Sequence, residues 1–280
     1  MVREINDINA PELDVFARLS ETGLFRYYEP EEGIFIAESA NVILRALEAG
    51  YEPLSMLVER GRMETEAGAV FDEIDRRWGQ KKRESIPVYT ADRETVSLLT
   101  GYNLVRGLWM ALRRKPGMPL EDFLRDKKRI ALLYDVVNPT NVGAIIRSAA
   151  ALGMDGVILT YASVDPLTRR SARVSMGTVF QIPWMRASKE ESRGITLISI
   201  LAANGFRTAA MALTEDATSV DSDEVRSNEK LAILLGTEGT GLPEEVISSC
   251  DYRMMIPMYH GVDSLNVAAA SAVCFWELMK

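Results

Sequence analysis

Apolar positions along the chain fall into two alternating rhythms. Short apolar runs bounded by glycine, proline or charge are followed by longer stretches in which apolar residues return every third or fourth position. The runs predict buried strands, and the periodic stretches predict helices with one buried face. In the first part of the chain, GIFIAES (33–39), PLSMLVE (53–59), IPVYTA (86–91) and GLWMALRR (107–114) are the predicted strands. Between them NVILRALEAG (41–50) gathers Val42, Ile43, Ala46 and Leu47 on one face and stops at Gly50. Residues 65–78 and RETVSLLTG (93–101) predict two more helices, the second ending at Gly101. Ahead of them, Pro11 with Leu13, Phe16, Ala17 and Leu19 predicts an N-terminal helix. Together these describe an α/β unit over residues 1–115.

KPGMPLEDFLRDKKR (115–129) breaks the rhythm with two prolines, a glycine and mixed charge. Residues 116–129 are therefore the expected linker, with room for one helical turn at EDFLRD. A second α/β unit follows over residues 130–280. IALLYDVV (130–137) is apolar enough for a strand buried on both faces of a parallel sheet. The loop NPTNVG (138–143) leads into a helix, AIIRSAAALG (144–153), and then a strand, DGVILT (155–160). TLISILAANG (196–205), RTAAMAL (207–213), KLAILLGTEGTGLPEEVISSC (230–250) and RMMIPM (253–258) continue the alternation, and a last helix follows Asn266. The predicted architecture is α/β, a parallel sheet with helices on both faces preceded by a smaller α/β domain.

Composition mainly excludes. With 47% hydrophobic and 26% charged residues the chain has the balance of a soluble globular protein. It carries no apolar run of roughly 20 residues and no secretory signal, so no membrane is expected. Two cysteines, Cys250 and Cys274, point away from a disulfide framework and toward a reduced, cytoplasmic setting. The single histidine, His260, cannot build a multi-histidine metal site, and a Ser-His-Asp triad through it lacks a Gly-x-Ser-x-Gly turn, so no metal is expected. A net charge of −8 weighs against a polyanionic partner. Against it stand local basic clusters at Arg76-Arg77, Lys81-Lys82-Arg83, Arg113-Arg114-Lys115, Lys127-Lys128-Arg129 and Arg169-Arg170 with Arg173, each either a solvated face or a patch for an anionic partner.

Three loops after strands of the second unit are unusual, and ligands of parallel sheets sit at such strand ends. The glycines of GTEGTG (236–241) fit neither a P-loop nor Gly-x-Gly-x-x-Gly, but they let backbone approach a ligand closely. Asn141 reads as a helix cap or a functional amide. Arg147 stands in an otherwise apolar helix, where it serves a structural ion pair or grips a phosphate. Asp263, Ser264 and Asn266 precede the last helix, and one cap needs only one of them.

In this order and separation, NPTNVGAIIRSAAALGMDGVIL (138–159), LAILLGTEGTGLP (231–243) and IPMYHGVDSLNVAAASAV (256–273) closely resemble the motifs of the SpoU (TrmH-type) RNA ribose 2′-O-methyltransferases of the SPOUT superfamily. RVSMGTVFQIP (173–183) resembles the family's Ser-x-Gly segment, and GIFIAESANVILRALEAG with LLTGYNLVRGLWMAL is similar to the L30e-like substrate-binding domain that precedes many such catalytic domains. The resemblance implies a deep C-terminal trefoil knot, an exception to the usual unknotted topologies. It implies S-adenosyl-L-methionine as cofactor, held at Gly236, Thr237, Glu238, Gly239, Ile256 and Leu265. Catalytic groups would fall on Asn141, Arg147, Glu238, Ser264 and Asn266, and two chains would form a homodimer. The implied substrate is structured RNA, ribosomal RNA first and tRNA as the alternative, and a catalytically inactive RNA-binding homologue is the competing class. The chain departs from the family pattern at Ser39, where glycine is usual, at Thr140, where glycine is common, and at Thr240, where a basic residue is common. Its acidic total leads us to expect the basic clusters on one face.

Overall fold

The computed structural model describes residues 2–5, 7, 9–17, 19–25, 33–100 and 107–280. The glycine stop expected at 101 and residues 101–106 of the segment likened to an L30e domain lie outside them. The chain divides into two compact units, one of Met1–Pro116 with Leu167–Phe180 and the other of Gly117–Pro166 with Gln181–Lys280.

In the first unit the strands are β1 (Val2–Glu4), β2 (Ile34–Glu38), β3 (Pro53–Glu59), β4 (Val88–Ala91) and β5 (Leu108–Arg113). Among the described residues they form one sheet in the order β1-β4-β3-β5-β2, parallel at β1–β4 and β3–β4 and antiparallel at β3–β5 and β2–β5. Helix α1 (Ala40–Glu48) buries Val42, Ile43, Ala46 and Leu47, the face its spacing predicts, and α2 (Glu66–Trp78) buries Ala67, Val70 and Ile74. Ser39, between β2 and α1, has φ 84° and ψ 149°. That region is essentially reserved for glycine, because a Cβ crowds the backbone there. The neighbours impose it: the Ser39 amide donates to the Leu108 carbonyl at 2.9 Å, and the Ser39 carbonyl accepts from Ile43 at 3.0 Å. Ser39→Gly is expected to raise stability by about 1 kcal/mol, seen as a later midpoint in urea unfolding.

The segment Leu167–Phe180 is built into this unit by side chains that sequence had grouped as basic. Arg169 donates to the carbonyls of Phe16 at 2.6 Å and Val15 at 3.1 Å, and Arg173 meets the buried Glu38 carboxylate at 3.3 Å. Arg45 in turn donates to the Met176 carbonyl at 2.5 Å, and the Phe180 ring packs on Phe35 and Tyr51.

The second unit holds β6 (Arg129–Leu133), β7 (Gly156–Leu159), β8 (Trp184–Arg186), β9 (Arg207–Met211), β10 (Thr218–Ser219), β11 (Leu231–Leu235) and β12 (Tyr252–Met255). They form a parallel sheet in the order β10-β12-β9-β11-β6-β7-β8. Its helices include α3 (Pro139–Ala151), α4 (Thr196–Ala203), α5 (Glu244–Ser249) and α6 (Val267–Leu278). The central strands β6 and β11 are buried on both faces, as their unbroken apolar runs require. Ile130, Leu132, Ala232 and Leu234 share one core with Leu197 and Leu201 of α4 and Val246 and Ile247 of α5. Alternate residues of the same strands point to the opposite face, where α3 packs on β7 and against α6. Within the expected linker, a helical turn at Leu120–Leu124 sends Leu120, Phe123 and Leu124 into the first of these cores.

The strand expected over 130–137 ends at Leu133. Asp135 turns the chain with φ 54°. Its amide donates to Thr160 Oγ1 at 2.8 Å, and that hydroxyl donates to the Asp135 carboxylate at 2.6 Å. The Val136 amide donates to Ser163 Oγ at 3.1 Å. The loops after β6 and β7 are thereby tied together. Both cysteines are free and buried, and burial pushes the Cys250 thiol up to about 11. No helix among the described residues is long and apolar enough to cross a membrane.

Candidate active site

The loops after β6, β11 and β12 meet at the carboxyl ends of the sheet. After β6 the sequence predicts a loop up to Gly143, but helix α3 already begins at Pro139. Asn138 is the cap: its side-chain oxygen accepts from the Thr140 amide at 2.9 Å, and Pro139 occupies the first turn, where its missing N–H costs nothing. The capping alternative for Asn141 therefore falls. Asn141 lies inside the first turn and is only 4% exposed. The Asn-Pro pair was the signal that could have located the cap.

At the last helix the cap is Asn266, whose oxygen accepts from the Ala268 amide at 2.9 Å. Its amide nitrogen remains free for other work. It donates to Glu238 Oε1 at 2.7 Å and lies 3.3 Å from Asn141 Oδ1, while Asn141 Nδ2 donates to the same Glu238 oxygen. Three residues from three segments thus share one hydrogen-bonded cluster. Glu238 reaches it because the glycine loop is folded back on itself: Thr237 and Gly241 exchange backbone hydrogen bonds of 3.3 and 3.1 Å. Gly239 and Gly241 take φ of 93° and 67°, and a Cβ on Gly236 would collide with the backbone of Gly241 and Leu242. Thr240 shares a 2.7 Å hydroxyl contact with Thr237 across the same turn.

Beside this cluster lies a cleft of about 690 Å³. Gly236, Thr237, Glu238, Gly239, Ile256 and Leu265 all line it, and so do Ser264 and Asn266. Sequence reasoning missed two contributors, Glu244 at the start of α5 and Met211–Thr214 at the end of β9. The charged side chains on its wall are Glu238, Glu244 and Asp263, with no lysine or arginine among the described lining residues. Apolar Met211, Leu235 and Met254 complete it. Such a wall suits a ligand that joins a flat apolar group to positive charge, and it disfavours the pyrophosphate of a dinucleotide.

Arg147 stands apart from the cluster. It is six residues beyond Asn141 on α3, about 9 Å along the axis and roughly 120° around it. It is exposed and, among the described residues, takes part in no ion pair. Many members of the basic clusters are engaged internally instead. Arg76 and Arg77 share Glu73, Lys82 and Arg113 share Glu52, and Arg129 donates to the carbonyls of Glu229 and Arg226. Among the described residues of the second unit, the exposed cations without such a partner are Arg147, Lys189 and Arg193.

Removing the shared acceptor tests the cluster. Glu238→Ala leaves the buried Asn141 amide without its carboxylate and is expected to cost about 1–2 kcal/mol in urea unfolding. Glu238→Gln, whose amide oxygen still accepts both bonds, is expected to cost less than half of that. Equal losses would mean that the charge, not the shared oxygen, holds the cluster.

Known proteins share this arrangement of segments. A family model described as the SpoU rRNA Methylase family matches residues 128–276. A Mycobacterium tuberculosis protein named as an uncharacterized tRNA/rRNA methyltransferase is 31% identical over 281 residues, covering 99% of this chain and 91% of its own. Two crystal structures of an rRNA methyltransferase from Sinorhizobium meliloti are similar in fold over 99% of this chain and 97% of theirs. The AdoMet-bound one has a TM-score of 0.77 at 24% identity, and the other 0.75 at 25%.

Proposed function

The chain belongs to the SpoU rRNA methylase family, and from that premise we propose that it transfers a methyl group from S-adenosyl-L-methionine to a ribose 2′-hydroxyl of structured RNA, ribosomal RNA in particular. The observation that carries this reading is the convergence of Asn141, Glu238 and Asn266 beside a cleft that, among the described residues, is lined by three carboxylates and no lysine or arginine. S-adenosylmethionine joins an adenosine to a sulfonium, an ammonium and a carboxylate, a net cation that matches a part-apolar cleft with acidic walls. Gly236, Thr237, Gly239, Ile256 and Leu265 would hold it, largely through backbone groups.

When bound, S-adenosylmethionine supplies an electrophilic methyl group. The chain then has to align a hydroxyl, a poor nucleophile, and assist the loss of its proton. Ser264 lines the cleft and Asn266 is fixed both by its capping bond and by Glu238, so these two would orient the hydroxyl. Arg147, a fork-shaped cation with no competing carboxylate among the described residues, would hold the adjacent phosphate. Its distance along α3 from the cluster fits a phosphate neighbour better than a proton acceptor, as does the planar fork that a guanidinium offers to phosphate oxygens. A catalytically inactive homologue would have no need to keep these groups hydrogen-bonded together.

The same reading takes residues 1–115 as an L30e-like RNA-binding domain, residues 130–280 as the catalytic domain with its C-terminal chain in a trefoil knot, and a homodimer as the working form. Ala269, Val273 and Trp276 form an exposed apolar stripe along α6, which supports a second copy packing there. The decisive test is mapping of 2′-O-methyl sites in total RNA from a strain lacking the gene beside its parent. We expect one site to disappear from ribosomal RNA. Loss from tRNA would reassign the substrate, and persistence of every site would sink the reading.

A further inference from the structure

The loops after β7 and β8 carry an aromatic and basic cluster that the cofactor cleft does not use. Tyr161 follows β7 and is 50% exposed, and the Arg186 guanidinium at the end of β8 lies 5.1 Å from its ring centroid. The pair is fixed by backbone contacts: Arg186 donates to the Tyr161 carbonyl, and the Tyr161 amide donates to Ser192 Oγ at 2.8 Å. Arg186, Lys189 and Arg193 are exposed within eight residues, and of the two acidic residues between them Glu191 accepts from the Ser188 amide at 2.7 Å. Among the described residues of this unit, Lys189 and Arg193 are two of the three exposed cations without a partner, and Arg147 is the third. In the sheet, β8 and β7 lie beside β6 and then β11, all parallel. The ends of β8 and β11 are three strand spacings apart, roughly 14 Å. The Thr160–Asp135 and Ser163–Val136 hydrogen bonds tie the Tyr161 loop directly to the segment that caps α3.

We propose that Tyr161 backed by Arg186 is a stacking platform for a base of the RNA substrate beside the target nucleotide, with Lys189 and Arg193 contacting its phosphates. This rests on the reading of the chain as an RNA methyltransferase. An exposed ring with a cation fixed on one face offers a base what single-strand binders use, a π surface whose stacking tolerates any sequence. The cations add a salt-dependent grip, and no other part of the mechanism employs them. The edge matters, because the platform stands on the same carboxyl end of the sheet as Asn141, Glu238 and Asn266. Protein–protein docking through Tyr161 would not require the unpaired cations beside it.

The test uses the full-length protein, total RNA from a strain lacking the gene as methyl acceptor, and S-adenosylmethionine labelled on its methyl group. Tyr161→Ala is expected to raise the KM for RNA about tenfold while kcat changes less than twofold, and Tyr161→Phe to restore it. The double variant Lys189→Ala/Arg193→Ala is expected to raise KM and flatten its dependence on salt. Calorimetry with S-adenosylmethionine should give wild-type affinity for all three. If wild type transfers methyl to RNA and Tyr161→Ala does so with unchanged KM, the platform is refuted while the enzymatic reading stands. If wild type neither binds the cofactor nor transfers methyl, the reading itself fails. A change of mass in light scattering for Tyr161→Ala would assign the patch to self-association and likewise overturn the proposal.

Discussion

Replacing Arg147 by alanine is expected to leave S-adenosylmethionine binding unchanged and to lower methyl transfer to RNA about a hundredfold. The first half follows from position: Arg147 does not line the cleft proposed for the cofactor and belongs to no hydrogen bond of the Asn141–Glu238–Asn266 cluster. It sits on the exposed side of a well-packed helix, so truncation to alanine, a strong helix former, leaves no cavity. The second half follows from the strength of a charge-assisted contact to phosphate, about 1.5–3 kcal/mol, if that contact is made in the transition state. Arg147→Lys separates two roles. A lysine keeps the charge but loses the planar fork, so a positioning residue gives intermediate activity with an unchanged pH profile. A proton-accepting residue would instead shift the profile toward lower pH, because an ammonium titrates below a guanidinium. Single-turnover transfer over a pH series, with calorimetry for the cofactor, measures all of this. Wild-type turnover in Arg147→Ala would remove the residue from the mechanism.

Periodicity alone made most of the elements legible, because burial decides them. The runs RIALL and LAILL are buried on both faces, and α1 buries the four residues its spacing selects. The short strands β1, β8 and β10 were not legible. VRE, WMR and TS contain too few residues for a rhythm and exist because a neighbouring strand offers them partners. The start of α3 was misread for a related reason. Two asparagines precede its apolar run, and which one caps it depends on Pro139 fixing the first turn and on Glu238, nearly a hundred residues away, claiming the other. The glycine loop and the polar surplus before α6 were visible as anomalies, but only the fold shows that Asn266 both caps and bonds Glu238. Charge was the least legible property. Arg169, Arg173 and Arg129 look like surface patches in sequence and are spent on buried carboxylates or carbonyls, whereas the free cations Lys189 and Arg193 bracket two acidic residues, Glu190 and Glu191, that mask them.

Gly236→Ala is expected to abolish detectable cofactor binding while the sheet remains folded, the converse of Arg147→Ala. The obstruction at Gly236 is backbone, not a flexible side chain: the added methyl would meet the Gly241 carbonyl group and the Leu242 nitrogen. No rotamer change relieves such a contact, so one limb of the loop must move. The limb contains the Thr237–Gly241 pair, and shifting it withdraws Glu238 from Asn141 and Asn266 and reshapes the cleft wall that five of the six expected cofactor residues, Gly236 to Gly239 and Leu265, share with Asn266. A displacement on the order of 1 Å suffices to cost about a hundredfold in a preorganised site. β11 should survive, because Leu231–Leu234 keep their partners on both sides. Gly239→Ala is the control. Its φ of 93° disfavours a side chain, yet nothing lies within 4 Å of where the methyl would go, so it should cost about 1–3 kcal/mol of loop strain without the collision. Calorimetric titration with S-adenosylmethionine, beside far-UV dichroism, compares the two. If Gly236→Ala binds as tightly as Gly239→Ala, conformational freedom rather than close approach explains the glycines, and the cofactor does not depend on the contact between Gly236 and the returning limb of the loop.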